Sequence, residues 1–118
     1  MTARMSFPVP PSNNVYYRRS GHHTHISIKG KQYKKEVCEL VAEFYPMKFG
    51  NARLNVHIDY WPKTRRAIDL DNCFKAILDS LTSAGVWDDD SQIDELSISK
   101  KEVKKGGCIL VTVVDIHG

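Results

Sequence analysis

Two aspartates at the expected start of a helix are the residues in this chain best suited to bind a divalent cation. Asp69 and Asp71 lie two positions apart, just before an apolar pattern that is typical of a helix. Inside a regular helix two such side chains would point to opposite faces. At a helix start they can converge, because Asp69 can take the cap position while Asp71 lies in the first turn. Two carboxylates there favour a hard cation such as magnesium, which prefers oxygen ligands.

A lysine and a second acidic segment can complete such a site. Lys75 follows Asp71 by four residues and so lies on the same helix face, where its ammonium can contact a phosphate or balance the carboxylates. Asp88, Asp89 and Asp90 come after the end of the expected helix. If this segment folds back to the helix start, it supplies a third carboxylate. A magnesium ion held there can generate a hydroxide nucleophile near neutral pH.

The same residues also fit a purely structural interpretation. Asp69 can be only a helix N-cap, and Asp71 only a carboxylate favoured by the helix dipole. Lys75 can pair with Asp71 or Asp79 on a solvated surface, and the acidic triplet can be an exposed turn. Residue types and spacing alone leave these alternatives open.

Apolar periodicity predicts two helices that flank the candidate residues. Apolar side chains recur every three or four positions in residues 31–45 and again in residues 70–81. Asp69 is a natural N-cap for the second helix, and Gly85 is a natural C-terminal stop. The pattern therefore predicts that Asp69 and Asp71 lie at the start of the second helix.

Three further segments have the pattern of strands. Residues 53–61 alternate between apolar and polar side chains, which predicts a strand with one buried face. Residues 95–103 alternate loosely, and residues 108–116 are rich in valine and isoleucine. Gly106 and Gly107 are expected to join these last two strands as a two-residue hairpin turn.

The N-terminal third gives weaker signals. Residues 7–11 are interrupted by prolines and predict a brief edge strand. Residues 15–29 are polar and predict a loop, either ordered and functional or flexible. The order β-α-β-α-β-β indicates a single α+β domain over residues 1–118, with a small mixed sheet and two helices on one of its faces.

Composition excludes several classes of protein. The chain has 118 residues and a formal net charge of +3, from 17 basic and 14 acidic residues, which is only mildly basic. Its three cysteines are far apart, so neither a disulfide framework nor a zinc site is expected. No signal peptide is recognisable, and no apolar run approaches the roughly 18 residues that span a bilayer. We expect a cytoplasmic protein with no membrane partner.

Basic residues cluster away from the acidic segment, so the chain can hold a polyanion and a metal at once. The candidates for phosphate contacts are Arg18, Arg19, Lys63, Arg65 and Arg66. Such contacts position a nucleic acid and carry little sequence information. Each of these residues can equally be a solvated surface charge.

Taken together, the motifs resemble the RusA family of Holliday junction resolvases. The matching segments are Pro10-Pro11-Ser12-Asn13-Asn14 with Tyr17, Asp69-Leu70-Asp71-Asn72 with Lys75, Asp79-Ser80-Leu81, Ala84-Gly85-Val86-Trp87, Asp89-Asp90-Ser91-Gln92, and Lys105-Gly106-Gly107. They cover nearly the whole chain in the same order and with similar spacing. Each motif alone is weak, but the set is specific.

The resemblance implies a homodimeric, magnesium-dependent endonuclease that acts in DNA recombination and repair. Such an enzyme binds four-way DNA junctions and makes paired, symmetric nicks. The essential aspartates of the family correspond to Asp69, Asp71 and Asp90, and its active-site lysine corresponds to Lys75. A four-way junction has an approximate twofold axis, and a C₂ dimer supplies two active sites related by the same symmetry.

One part of this correspondence is ambiguous. The family has an aspartate pair in the acidic segment, so Asp89 competes with Asp90 as the third ligand. We favour Asp90 because Ser91 and Gln92 follow it as they do in the family. Asp88 takes a position that is usually apolar, and we expect it to be incidental.

Two residues of the first motif are further candidates for contacts with DNA. Asn14 and Tyr17 belong to that motif, and an exposed tyrosine can stack on an unpaired base at the junction centre. Burial in the core is the alternative for Tyr16 and for Tyr17.

Two other functions fit the same pattern. A nuclease of other branched or single-stranded DNA would have an identical set of aspartates. A non-catalytic DNA-binding module would keep the fold but would have lost an aspartate, and none is lost here. Comparison of substrates separates the first alternative from a junction resolvase.

Overall fold

A mixed sheet with helices on one face carries the site, in a computed structural model that describes residues 1–67 and 69–116. The elements in chain order are β1 (Thr2–Phe7), α1 (Asn13–Tyr16), β2 (Tyr17–Ser20), β3 (His23–Ile26), α2 (Ile28–Phe44), β4 (Leu54–Trp61), α3 (Phe74–Ser83), β5 (Ile93–Lys100) and β6 (Cys108–Asp115). Short 3₁₀ turns at Leu70–Cys73 and Asp90–Gln92 flank α3. The expected α+β class is confirmed.

The central strand β4 follows the alternation that its sequence predicts. Leu54, Val56, Ile58 and Tyr60 are buried against the helices, and the residues between them are half-buried on the opposite face. The strand lies between β5, to which it is parallel, and β6, to which it is antiparallel. The sheet order is β1-β6-β4-β5, and β1 pairs with β6 as an antiparallel edge strand.

The predicted hairpin between the last two strands is wrong, because β4 lies between β5 and β6. Gly106 and Gly107 do form a turn, since both have positive φ and the N–H of Gly107 donates to the carbonyl of Lys104 at 2.8 Å. The chain first passes the end of β4, where the N–H of Lys101 donates to the carbonyl of Tyr60 at 2.7 Å. The glycine turn therefore closes a crossover and not a two-stranded hairpin.

Both predicted helices are present with shifted starts. Helix α2 begins at Ile28, because the Oγ atom of Ser27 accepts a hydrogen bond from the N–H of Gly30 at 3.0 Å and caps it. The second predicted helix is divided into the 3₁₀ turn Leu70–Cys73 and helix α3. Gly85 follows α3 with φ +80, as its role as a helix stop requires.

The N-terminal third contains more regular structure than its sequence predicts. The expected loop at residues 15–29 holds the end of α1, the antiparallel hairpin of β2 and β3, and the start of α2. The hairpin residues are largely exposed on both faces, so they lack the alternation that marks a half-buried strand. The expected edge strand at residues 7–11 lies upstream instead, in β1, and the prolines follow it.

One apolar cluster joins the sheet to the helices. It includes Met5 and Phe7 of β1, Val37 and Val41 of α2, Ala76, Ile77 and Leu81 of α3, Trp87, and Ile109, Val111 and Val113 of β6. The indole N–H of Trp87 donates to the hydroxyl of Thr82 at 2.7 Å, which ties the end of α3 to the acidic segment that follows. In the part of the chain that the structure describes, we find no helix with the length and apolar character needed to cross a membrane.

Candidate active site

The first two candidate ligands lie where a helix begins. Asp69 takes the N-cap position of the turn Leu70–Cys73, but its side chain makes no capping hydrogen bond, so the expected capping role of the carboxylate is wrong. Its carbonyl accepts a hydrogen bond from the N–H of Asn72 at 3.0 Å. Asp71 lies in the first turn, and both carboxylates are exposed. Each is therefore available to a ligand from solvent.

A small pocket opens beside Asp69. It has a volume of about 280 Å³, and its lining includes Pro10, Ser12, Tyr60 and Cys73. Tyr60 is the last buried residue of β4, and its pKa is raised to about 12, chiefly by burial. The end of the central strand and the Pro10–Ser12 segment thus form the walls around this carboxylate.

The acidic segment folds back toward the start of α3. The turn Asp90–Gln92 contacts α3, and Lys75 lies in the first turn of that helix. Burial raises the pKa of Asp90 above the ordinary aspartate value, and the neighbouring Asp89 raises it further. The positive charge of Lys75 lowers this pKa, and the negative charge of Asp79 raises it. Lys75 and Asp90 are therefore near enough for their charges to interact.

Asp89 and Asp90 have different environments. The Oδ1 atom of Asp89 accepts a hydrogen bond from the N–H of Ser91 at 3.3 Å and caps the turn that follows. Hydrogen bonds from Ser91 hold the pKa of Asp89 below its usual value. The carboxylate of Asp89 is thus engaged in local structure, whereas that of Asp90 is destabilised in its charged form.

Gln92 anchors the whole acidic segment. Its side chain is 5% exposed, and its Oε1 atom accepts hydrogen bonds from the N–H groups of Asp88 and Asp89 at 3.0 and 2.9 Å. Its Nε2 atom donates to the carbonyls of Gly50 and Ala52 at 2.9 and 2.7 Å. The segment is therefore fixed to the loop that precedes β4.

The three aspartates do not form a ready-made metal site in the single chain. Within residues 1–67 and 69–116, no three His, Cys, Asp or Glu side chains are grouped so that they could hold a metal ion. The structure brings Asp90 toward Lys75 and leaves Asp69 and Asp71 exposed at the neighbouring turn. A shared cation would have to draw the carboxylates together.

A partly buried network beside the site was not predicted from the sequence. The hydroxyl of Tyr16 donates to the carboxylate of Asp79, and the Nζ atom of Lys34 lies 3.2 Å from the same carboxylate. Burial and the hydrogen bond with Asp79 both raise the pKa of Tyr16. The only sequence signal was the helical spacing of Asp79 from Lys75, and that spacing indicated the wrong partner. Among the described residues no carboxylate lies within 4.0 Å of the Lys75 ammonium.

Tyr16 and Tyr17 differ in their availability. Tyr16 is fully buried, while Tyr17 is half-buried and packs edge-to-face against it with the ring centroids 4.9 Å apart. The pKa of Tyr17 is raised by burial and then by the charges of Asp79 and Asp90. Tyr17 is therefore the tyrosine of this pair that borders the acidic segment.

The candidate DNA contacts lie on two exposed segments. Arg18 and Arg19 are on β2, with Asn14 beside them on α1. The other group, Lys63, Arg65 and Arg66, follows the end of β4. All six side chains are exposed, and none of the five basic ones forms an ion pair with a described residue.

Comparison with known proteins gives a consistent result. The family model described as Endodeoxyribonuclease RusA matches residues 7–114. The crossover junction endodeoxyribonuclease RusA of Escherichia coli (strain K12) is 36% identical over 116 residues, which are 98% of this chain and 96% of that protein. The protein of the same name from Enterobacteria phage 82 is 37% identical with the same coverage. That of Enterobacteria phage HK97 is 34% identical over 110 residues, 93% of this chain and 92% of the relative.

Proposed function

Because the chain belongs to the RusA family of endodeoxyribonucleases, we propose that it resolves four-way DNA junctions by magnesium-dependent, paired and symmetric nicks. Its relatives are named crossover junction endodeoxyribonucleases, so the enzyme class is that of structure-specific endonucleases. One observation carries the proposal for the site: two exposed carboxylates begin a helix whose first turn presents Lys75 toward the acidic segment at Asp90.

The donor chemistry of Asp69, Asp71 and Asp90 fits magnesium. All three offer carboxylate oxygens, which are hard ligands, and magnesium commonly takes only one or two carboxylates together with water and substrate phosphate. A protein shell that is incomplete before the substrate binds is compatible with that preference. When bound, the ion would supply a hydroxide nucleophile near neutral pH and polarise a phosphate oxygen.

The protein side chains have separate tasks in this proposal. Asp69 and Asp71 would hold the cation at the helix start, and Asp90 would supply the third carboxylate. Lys75 contacts the scissile phosphate and offsets its charge. We favour Asp90 over Asp89 as the third ligand, because the carboxylate of Asp89 is engaged by the N–H of Ser91.

Contacts outside the scissile phosphate orient the junction. We propose phosphate contacts from Arg18, Arg19, Lys63, Arg65 and Arg66, polar contact from Asn14, and stacking of a base on Tyr17. The proposal is supported by the exposure of the basic side chains and by the lack of ion pairs to them from described residues. Such contacts fix register and orientation.

We further propose that the enzyme acts as a homodimer in the cytoplasm. Two opposed nicks in a junction with an approximate twofold axis require two active sites related by that axis, and a C₂ dimer provides them. A single 118-residue chain has one set of the three aspartates.

One comparison of substrates tests the function. Cleavage of a four-way junction, a flap, a duplex and a single strand is measured with magnesium and with EDTA, and the nicks are mapped on each strand. We expect cleavage of the junction at symmetric positions on opposed strands, in magnesium only. Faster cleavage of the flap or the single strand would assign another substrate class, and binding without cleavage would indicate a non-catalytic module.

A further inference from the structure

The pocket beside Asp69 adjoins a series of two larger pockets. It shares Pro10 and Tyr60 with a middle pocket of about 890 Å³, and the middle pocket shares Lys29 and Gln32 with an outer pocket of about 760 Å³. The outer pocket reaches the β2–β3 hairpin. We call these three adjoining pockets, from Asp69 to the hairpin, the hairpin groove.

Cationic side chains line the hairpin groove along its length. Lys63 and Arg66 line the middle pocket, Lys29 lies where the middle and outer pockets meet, and Arg18 and Lys31 line the outer pocket. Within residues 1–67 and 69–116, none of these five charges is in an ion pair. Unpaired like charges on one concave surface create a positive potential that attracts an anionic ligand.

The remaining lining residues suit a sugar–phosphate backbone. Glu36 is the one carboxylate among the described residues that line the two larger pockets. Two apolar side chains, Val15 at 40% exposed and Ile28 at 77% exposed, lie among the cations of the outer pocket. A surface that offers both cationic and apolar side chains suits the phosphates and deoxyribose rings of a DNA strand, and contacts to phosphate and sugar are the commonest in protein–DNA complexes.

Close packing holds the walls of the groove in place. A Cβ atom on Gly30 would lie 2.6 Å from the carbonyl oxygen of Tyr16 and 2.7 Å from a methyl carbon of Ile26, so α1 and β3 approach α2 closely at this glycine. The N–H of Ser27 donates to the carbonyl of Tyr16 at 2.8 Å, and its hydroxyl donates to the carbonyl of Val15 at 2.5 Å. The groove is therefore a preorganised surface, which lowers the entropic cost of binding.

From these observations we infer that the hairpin groove holds the phosphate backbone of one junction arm as that arm leaves the cleavage point, with Lys29 and Lys31 of α2 as phosphate contacts. The inference rests on the proposed function, because a strand cut beside Asp69 must continue across the adjoining surface. The groove includes the Asp69 pocket at one end, and the positive charge of its lining is complementary to DNA. The inference adds residues of α2 to the DNA-contacting residues that the sequence indicated.

The salt dependence of junction binding tests the inference. K29Q/K31Q removes two phosphate contacts, so the magnitude of the slope of log K against log salt should fall by about 2, and binding should weaken roughly tenfold to a hundredfold near 0.1 M salt. K35Q is the matched control, since Lys35 is exposed on the same helix, outside the groove lining, and 4.0 Å from Glu39. Its slope should equal that of the wild type. E36Q removes the opposing charge and should strengthen binding.

Arm length gives a second readout. If the groove holds an arm, stepwise shortening of the arms should reach a length at which K29Q/K31Q and wild type bind equally. An unchanged slope in K29Q/K31Q, or a defect that is the same at every arm length, would overturn the inference while wild-type cleavage of the junction still supports the proposed function. Failure of the wild type to bind or cut junctions would instead count against the proposed function itself.

Discussion

The Oε1 atom of Gln92 accepts a hydrogen bond from the N–H of Asp89 at 2.9 Å, while the carboxylate of Asp89 caps the turn that Gln92 ends. This reciprocal arrangement is a capping box. It fixes the turn that carries Asp90, and the two donor hydrogens of the Gln92 amide fix the same turn to the loop before β4. The position of Asp90 therefore depends on a buried side chain that has no contact with substrate in the proposed mechanism.

Substitution of Gln92 by methionine, which keeps most of the volume and removes the hydrogen bonds, tests this dependence. Backbone groups of Asp88, Asp89, Gly50 and Ala52 would lose a partner, so we expect the free energy of unfolding to fall by about 1–3 kcal/mol. Cleavage should fall more than junction binding, because the third carboxylate is no longer positioned. Titration with magnesium checks the cause: a raised magnesium requirement is expected, and an unchanged one would show that Gln92 acts on stability alone.

The aspartates themselves give a test that separates metal binding from DNA binding. D69N, D71N and D90N should each abolish cleavage and preserve junction binding, since each removes a ligand oxygen charge and lowers repulsion of the phosphate. D88N is the matched control, because the Asp88 side chain is exposed and has no assigned role. Thermal unfolding provides the readout without DNA: magnesium should raise the melting temperature of wild type and D88N more than that of the other three variants. Normal cleavage by those variants would disprove the assignment.

Much of the fold followed from local patterns, and the errors have specific physical causes. The alternation in β4 and the periodicity of α3 are set by burial against one core, so they are readable from sequence. Gly106 and Gly107 indicated a turn correctly but not which strands it joins, because strand order depends on long-range pairing. The β2–β3 hairpin has no buried face and so leaves no alternation to detect.

In the candidate site, too, local features could be predicted from the sequence and long-range contacts could not. The cap position of Asp69 and the first-turn position of Asp71 followed from spacing. The spacing did not predict that the Asp69 side chain makes no capping hydrogen bond, because aspartate at a cap usually accepts a hydrogen bond from the helix start. The pairing of Asp79 with Tyr16 and Lys34 joins three elements distant in sequence, which spacing within one helix cannot reveal.

The raised pKa of Asp90 predicts a cost in stability for the metal-free protein. Burial raises its folded-state pKa above the unfolded value, so the folded state binds this proton more tightly and loses stability as the pH rises through that interval. D90N removes the ionisation. In EDTA at pH 7 the variant should therefore be more stable than wild type, and the difference should disappear below the ordinary aspartate pKa of about 3.9. Denaturant unfolding at the two pH values measures it, and a D90N protein that is less stable at pH 7 would contradict the expected sign.

The interaction between Lys75 and Asp90 predicts a shift in the pH dependence of cleavage. The positive charge of Lys75 lowers the pKa of Asp90, so K75Q should raise that pKa further. A ligand carboxylate must lose its proton before it binds a cation, and protons then compete with magnesium at a higher pH than in the wild type. The acidic limb of the pH–rate profile should consequently move to higher pH in K75Q. The maximal rate should also be lower, because the contact with the phosphate is lost. K35Q, on a different helix and remote from Asp90 in sequence, serves as the control for the loss of one positive charge. A lower rate with an unshifted acidic limb would contradict this prediction. It would show that Lys75 contacts the phosphate but that its charge does not affect the pKa of Asp90.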